Sequence, residues 1–191
     1  MNHPFPEQIR PTSGSEEHLK RLTSGSVLLA REVLHDPNFE ATVVLICVHS
    51  PEGSYGLVLN RLAHMPLSEI FDGINGMNRS CEVLIGGPVQ QGELQILQIT
   101  GSPAEGAYQI TPEIYMGGRW DDITAMITLD SLNTRLFLGY SGWGPGQLES
   151  EIQLGAWDVF KVDIKQLLLS CHLLVGADTA AITSFLQSIP S

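Results

Sequence analysis

The residues best suited to chemistry in this chain lie in one glycine-rich segment, which runs from Arg135 to Glu151 with the sequence RLFLGYSGWGPGQLESE. An apolar run, Leu136 to Leu138, comes before all four glycines, and Gln147 to Glu149 has the composition of a first helical turn. Glycine is used where the backbone needs a positive φ or where another group must approach closely. The segment therefore predicts a corner between a strand and a helix, beginning at Gly139, with polar side chains on its surface.

This corner does not match the motifs that bind phosphate or carry a nucleophilic serine. It lacks GxxxxGK[ST], and the dinucleotide pattern GxGxxG fails at Gln147. Glu149 and Glu151 would place carboxylates at the positive end of the helix, where a phosphate would have to bind. Ser141 follows a strand, but the nucleophile elbow GxSxG would need glycine in place of Trp143. The corner is predicted to be mainly structural, with a polar site beside it.

Histidines, cysteines and acidic pairs elsewhere in the chain form no recognisable metal or acid–base motif. The six histidines and three cysteines show no zinc-type spacing, so no metal or cofactor is predicted. Asp121 and Asp122 are neighbours rather than a facing pair, which disfavours acid–base work. His49, at the end of a predicted strand, stays a candidate, with a structural hydrogen bond as the alternative. Cys47 lies in an apolar run, where burial keeps a thiol unreactive.

Runs of apolar and β-branched residues predict the strands that would position this corner. Ala41 to His49 and Gly56 to Asn60 form the clearest hairpin, which puts His49 at one end and Asn60 with Arg61 at the other. Further strands are predicted at Ser26–Arg31, Glu82–Ile85, Glu93–Thr100, Tyr108–Met116 and Trp157–Val162. Helices are predicted at Pro66–Phe71, Arg119–Leu129 (which also fits a strand period), Asp163–Leu173 and Asp178–Ile189.

Length, charge and cysteine usage narrow the class of protein. A chain of 191 residues suits one domain, predicted at 23–191 after a flexible Pro- and Ser/Gly-containing tail at 1–22. A net charge of −11, from 21 acidic and 10 basic residues without a basic cluster, disfavours direct binding to nucleic acid or anionic membranes. The first twenty residues are polar, and no apolar run is long enough to cross a bilayer. Together with the sparse cysteines, these features predict a cytoplasmic protein.

Four segments of the chain, in this order and spacing, resemble the AlgH/YqgE family of bacterial cytosolic proteins. They are DPNFEATVVLICVH (36–49), GLVLNR (56–61), GGPV (86–89) and LGYSGWGPGQLESE (138–151), of which the last is the most specific. The resemblance covers residues 24–157 and fades beyond them. Leu62 stands where the family usually has proline, so the loop after the second segment is expected to differ.

The resemblance implies an α/β fold in which a mostly antiparallel sheet curls into a flattened, barrel-like core with helices outside. It brings no established catalytic role, because the family is largely uncharacterised and one branch is described as a transcriptional regulator. Its pattern falls here on Asn60, Arg61, Gly86, Gly87, Pro88, Gly139, Gly142, Trp143, Gly144, Gln147, Leu148 and Glu149. The ligand-binding candidates among these are Asn60, Arg61, Gly87, Trp143, Gln147 and Glu149.

The sequence therefore predicts a non-enzymatic ligand-binding or regulatory module that recognises a small molecule or a protein partner. The alternative is an enzyme, a hydrolase or a nucleotide-binding protein, that uses a cleft near the same corner. Arg61 is expected to pair with Glu149 or Glu151, since a partly buried guanidinium needs a carboxylate. Trp143 is expected to pack beneath the turn, the alternative being that it lines an open site.

Overall fold

The structure, a computed structural model, describes residues 14–31, 41–65, 82–129 and 133–191. The helix predicted at Pro66–Phe71, the turn at 35–38 and the loop at 73–78 lie outside the described residues. Within the described ranges the chain forms nine strands and five α-helices.

The strands form one curled sheet that does not close into a barrel. They are β1 (Val27–Ala30), β2 (Val43–Ser50), β3 (Gly53–Val58), β4 (Val83–Ile85), β5 (Val89–Ile99), β6 (Tyr108–Thr111), β7 (Ile114–Met116), β8 (Thr134–Trp143) and β9 (Trp157–Phe160). Their order is β6-β7-β5-β8-β3-β2-β1-β9, with β4 also beside β8. Every described strand pair is antiparallel except β4–β8. The predicted α/β fold with a mostly antiparallel sheet is confirmed.

The helices are α1 (Ser15–Arg21), α2 (Trp120–Leu129), α3 (Gln147–Gln153), α4 (Ile164–Ser170) and α5 (Thr179–Ser188), with a 3-10 turn at Cys171–Leu174. Asp163 and Asp178 cap α4 and α5 by accepting hydrogen bonds from backbone N–H groups, which confirms both predicted helix starts. Within the predicted tail at 1–22, residues 15–21 form α1, which packs near β9 and α3. None of the described helices is long and apolar enough to cross a membrane.

Helices cover both faces of the sheet around β1 and β2. Val27 and Leu29 pack in the cluster that contains the buried residues of α4 and α5. Leu28 and Ala30 pack on the other face, with the buried residues of α3. Strands buried on both faces are apolar, as β1 is throughout and β2 is from Val43 to Cys47, where it is buried. Cys47 of β2 is fully buried, as predicted, and burial raises the pKa of its thiol well above the usual range.

Strand β8 is longer than the sequence predicts and pairs with three strands, β3, β4 and β5. It continues through Gly139 to Trp143, whereas the predicted corner began at Gly139. Gly139 has a φ of 68° inside the strand, so its positive φ accommodates an irregularity there rather than ending the strand. Leu136–Leu138 pair with β4 and Ser141–Trp143 pair with β3, while β5 pairs along the other edge. The true corner therefore begins at Gly144.

The segment that follows β4 packs against the backbones of both β3 and β8. The Gly86 carbonyl accepts hydrogen bonds from the Val58 N–H at 2.9 Å and from the Ser141 hydroxyl at 3.1 Å. A Cβ atom on Gly87 would lie 2.3 Å from the carbonyl carbon and oxygen of Tyr140. Only glycine allows two backbones to approach this closely. Gly87 is therefore a buried packing residue, and Ser141 is buried and engaged with Gly86 rather than exposed as a nucleophile.

We expect Gly87→Ala to lower the free energy of unfolding by roughly 3 kcal/mol, at the upper end of overpacking substitutions, because the new methyl group meets backbone rather than a flexible side chain. Urea denaturation measures the change. Gly92→Ala is the matched control, since a Cβ at Gly92 meets nothing within 4 Å. Equal stability of the two variants would contradict the role assigned to Gly87.

Candidate functional site

The candidate site lies where the β2–β3 turn, the end of β8 and the start of α3 meet. Ser54 of β3 is in register with Trp143 of β8, so the β2–β3 turn lies beside the corner that starts at Gly144. The approach is close, since a Cβ atom on Gly53 would lie 2.3 Å from the Trp143 carbonyl oxygen. The fold thus brings His49, at the end of the β2–β3 hairpin, next to the glycine-rich corner some 90 residues later in the chain.

His49 is held in this site by contacts on three sides. Its Nδ1 atom lies 2.8 Å from the Ser54 hydroxyl, and its backbone N–H donates to the Ser24 hydroxyl at 3.1 Å. Its Nε2 atom faces the Glu149 carboxylate of α3, with 3.8 Å between Nε2 and Oε1. The side chains of His49 and Glu149 are 20% and 34% exposed. One ring nitrogen is therefore engaged by the hairpin, and the other is directed across the corner at a carboxylate.

Glu151 ties α3 to two strands through both of its carboxylate oxygens. Oε2 accepts hydrogen bonds from Trp143 Nε1 at 3.0 Å and from Trp157 Nε1 at 2.8 Å. Oε1 accepts from Gln147 Nε2 at 3.0 Å, and Gln147 Oε1 accepts from the Gly144 N–H, also at 3.0 Å. The two indoles pack edge to face with their centroids 5.9 Å apart. This network fixes the orientation of α3, and hence the position of Glu149.

Trp143 lies beneath the corner and is 6% exposed. It belongs to the same apolar cluster as Leu148 and Ile152 of α3. This burial confirms the expectation that Trp143 packs beneath the turn, and it does not fit the alternative that the indole lines an open site. Of the predicted ligand-binding residues, Gln147 and Glu149 are the two that lie at the surface of this corner.

Asn60 and Arg61 lie at the opposite end of β3 from this corner. Asn60 Oδ1 accepts from the Val43 N–H at 3.0 Å and Asn60 Nδ2 donates to the Ala41 carbonyl at 2.9 Å, so this amide closes the far end of the hairpin. The Arg61 carbonyl accepts from the Ile85 N–H beside β4. The structure therefore does not bring these two residues into the site with Glu149.

The ion pair predicted between Arg61 and Glu149 or Glu151 is wrong. At about 3.3 Å per residue, the part of β3 from Ser54 to Val58 spans roughly 13 Å, and Arg61 lies three residues beyond its end. Ser54 is the residue of β3 that lies beside the corner, so Arg61 is far from both carboxylates. The groups that face them are His49 for Glu149 and the two indoles with Gln147 for Glu151.

Of the two partners His49 and Ser54, only His49 is a candidate from the sequence. A two-residue turn at Pro51 and Glu52 fixes the register of the hairpin, which places residue 49 opposite residue 54. That signal is present in the sequence once the turn is assigned. The contact of Ser24 with His49 leaves no such signal because it joins the segment before β1 to the end of β2. The contact of Trp157 with Glu151 spans six residues, and it depends on how α3 packs against β9.

The chemistry available at this corner is hydrogen bonding and charge. Within the part of the chain that the structure describes, no group of three or more His, Cys, Asp or Glu residues is placed to hold a metal ion. The order Ser54–His49–Glu149 has the composition of a nucleophile, base and orienting acid. Ser54 is only 7% exposed, and its hydroxyl serves first to orient the imidazole.

Comparison with known proteins gives one consistent family. The model of the AlgH-like family matches residues 27–172. A UPF0301 protein of Chlorobium luteolum is 36% identical over 141 residues, which cover 72% of this chain and 74% of that protein. A UPF0301 protein of Myxococcus xanthus is 38% identical over 143 residues, which cover 73% of this chain and 78% of that protein.

Two solved structures are similar to this one. Protein DIP2367 of Corynebacterium diphtheriae matches with a TM-score of 0.62 and 26% identity, covering 72% of this chain and 75% of that one. The solution structure of the AlgH protein from Pseudomonas aeruginosa has a TM-score of 0.62 and 23% identity, and the match covers 96% of this chain and 97% of that one. The second likeness concerns the fold alone.

We expect Glu151→Ala to lower the free energy of unfolding by about 2–4 kcal/mol, because two largely buried indole N–H groups lose their acceptor. Urea denaturation followed by tryptophan fluorescence reports both the stability and the environment of the indoles. Gln153→Ala, an exposed position on the same helix, is the control and should change stability by less than about 0.5 kcal/mol. An equally small effect of Glu151→Ala would show that the network does not hold α3.

Proposed function

The chain belongs to the AlgH-like family, and we propose that it acts as a ligand-binding module whose site is the corner formed by His49, Ser54 and Glu149. The observation that carries this proposal is the His49 imidazole, which is fixed on one side and presents Nε2 to a carboxylate on a different element. A partly exposed pair of this kind recognises a polar group that reaches both partners.

The rigidity of the site supports recognition of a specific ligand. Ser54 and Ser24 hold His49 from β3 and from the segment before β1, while Glu151 holds the helix that carries Glu149. Side chains whose geometry is fixed before binding lose little conformational entropy on binding. The site is therefore organised before any ligand arrives.

The glycines of the corner support access to the site. A Cβ atom at Gly144 would meet only the Gln147 amide oxygen, at 3.9 Å, and one at Gly146 would meet nothing within 4 Å. Both residues are exposed, so the backbone beside Glu149 is bare. A ligand can approach this side of α3 without displacing a side chain.

A regulatory role follows if ligand binding changes how firmly α3 is held against the β2–β3 hairpin. Glu149 lies on α3 and His49 lies on the hairpin, with 3.8 Å between Glu149 Oε1 and His49 Nε2. A ligand bound between these two atoms would link the two elements. With a net charge of −11, such regulation is expected to act through a small molecule or a protein partner rather than by direct DNA binding.

A thermal-shift screen of nucleotides and common metabolites tests the binding function. A ligand at 100 times its Kd adds about 2.7 kcal/mol of stability, which raises Tm by roughly 5–10 °C for a chain of this length. The response to an active compound should be lost in Glu149→Ala and kept in Gln153→Ala. The proposal fails if no compound gives a saturable shift, or if the shift is unchanged in Glu149→Ala.

The second candidate function is a serine hydrolase. It is favoured by one observation, the 2.8 Å contact between the Ser54 hydroxyl and His49 Nδ1, with a carboxylate on the other side of the ring. Ser54, however, lies within β3 and is largely covered, so an acyl group has little access to its hydroxyl. Binding is therefore the function that this geometry supports better.

A fluorophosphonate probe separates the two functions, because it labels only an exposed and activated serine. We expect no labelling that depends on Ser54, measured by intact mass on the wild type, Ser54→Ala and the exposed control Ser102→Ala. Labelling that disappears in Ser54→Ala alone, together with ester hydrolysis that disappears with it, would replace the binding proposal by the hydrolase.

A further inference from the structure

The chemistry of the corner also defines the class of ligand, on the premise of the binding function proposed above. We infer that the ligand carries a cationic nitrogen with several N–H donors, such as a primary ammonium, which lies between His49 and Glu149.

The two facing atoms of the corner lie at a separation that leaves room for a donor between them. His49 Nε2 and Glu149 Oε1 are 3.8 Å apart, which is beyond the length of a hydrogen bond. When Nδ1 carries the ring proton and donates to Ser54, Nε2 offers a lone pair toward a carboxylate that also offers lone pairs. Two acceptors that face each other are stabilised by a donor placed between them. An ammonium group supplies three donors and can reach both.

The charge around the corner favours a cation. In the described ranges, the ion pairs formed by arginine and lysine join other carboxylates: Glu17, Asp158, Glu105, Asp122 and Glu113. The partner found for Glu149 is the His49 imidazole. Glu52 adds a carboxylate in the adjoining turn, and its pKa is lowered by the Ser50 hydroxyl and by the backbone. The chain as a whole carries −11, so a cation is attracted and an anion repelled.

The corner suits an ammonium group better than a metal ion. Two protein ligands leave most of the coordination shell of a transition metal to water, and structural zinc sites use four protein ligands. The corner offers one imidazole nitrogen and one carboxylate, and no third residue of suitable type is placed with them among the described residues. A hydrogen-bonding cation needs no more than these two acceptors.

The test titrates three four-carbon compounds of similar length that differ in charge: diaminobutane, aminobutyrate and succinate. Histidine ring signals in NMR spectra report binding at His49, and calorimetry reports Kd. We expect diaminobutane to shift the His49 signals in a saturable way, aminobutyrate to bind more weakly and succinate to give no shift. Glu149→Gln should weaken diaminobutane binding at least about tenfold, the loss typical of a hydrogen bond to a charged group.

Glu93→Gln is the matched control, because it removes the same charge from an exposed position on β5 and leaves the corner intact. Equal weakening in both variants would mean that diaminobutane senses only the net charge, which overturns the inference. Binding of succinate, or of Zn²⁺ in place of diaminobutane at His49, overturns it as well. In those last two cases the binding function stands and only the ligand class is wrong. If no probe and no compound of the thermal-shift screen binds, the proposed function fails with it.

Discussion

The contact between the Gly86–Gly87 backbone and the middle of β8 is the constraint on which the rest of this structure depends. β8 has β4 and then β3 along the same edge, so the chain leaving β4 must turn away between two strands that are already paired. The turn fits because Gly86 and Gly139 have no Cβ atom, each of which would lie within 2.7 Å of the other segment's carbonyl oxygen. The close approach sets where β3 meets β8, and therefore where the β2–β3 turn comes to lie.

The position of α3 depends in turn on where β3 meets β8. With Ser54 beside Trp143, the indole of Trp143 is directed under α3, where Glu151 accepts its N–H together with that of Trp157. Largely buried indole groups need an acceptor, and one carboxylate oxygen serves both. The helix is fixed by this polar contact as well as by its apolar residues Leu148 and Ile152. Glu149 is thereby held opposite His49.

The candidate site thus consists of a few polar side chains on a rigid frame. The residues that match the family pattern are of two kinds, buried and exposed, which the pattern itself does not distinguish. Gly87 and Trp143 are buried and serve packing, whereas Gln147 and Glu149 lie at the surface of the corner. The polar residue Asn60 belongs to the frame as well, because its amide satisfies backbone groups at the far end of the hairpin. Occurrence in a shared motif therefore does not by itself identify a site residue.

The sequence by itself determined the local features of this protein. The hairpin of β2 and β3, the helix starts at Asp163 and Asp178 and the helix that begins at Gln147 follow from turn residues, caps and apolar periodicity, all of which act over a few residues. Only the tertiary structure decided the extension of β8 through Gly139, the distance of Arg61 from Glu149 and the contact of Ser24 with His49. These depend on which strands pair across long stretches of chain, and strand pairing is set by packing and backbone approach that no local pattern encodes.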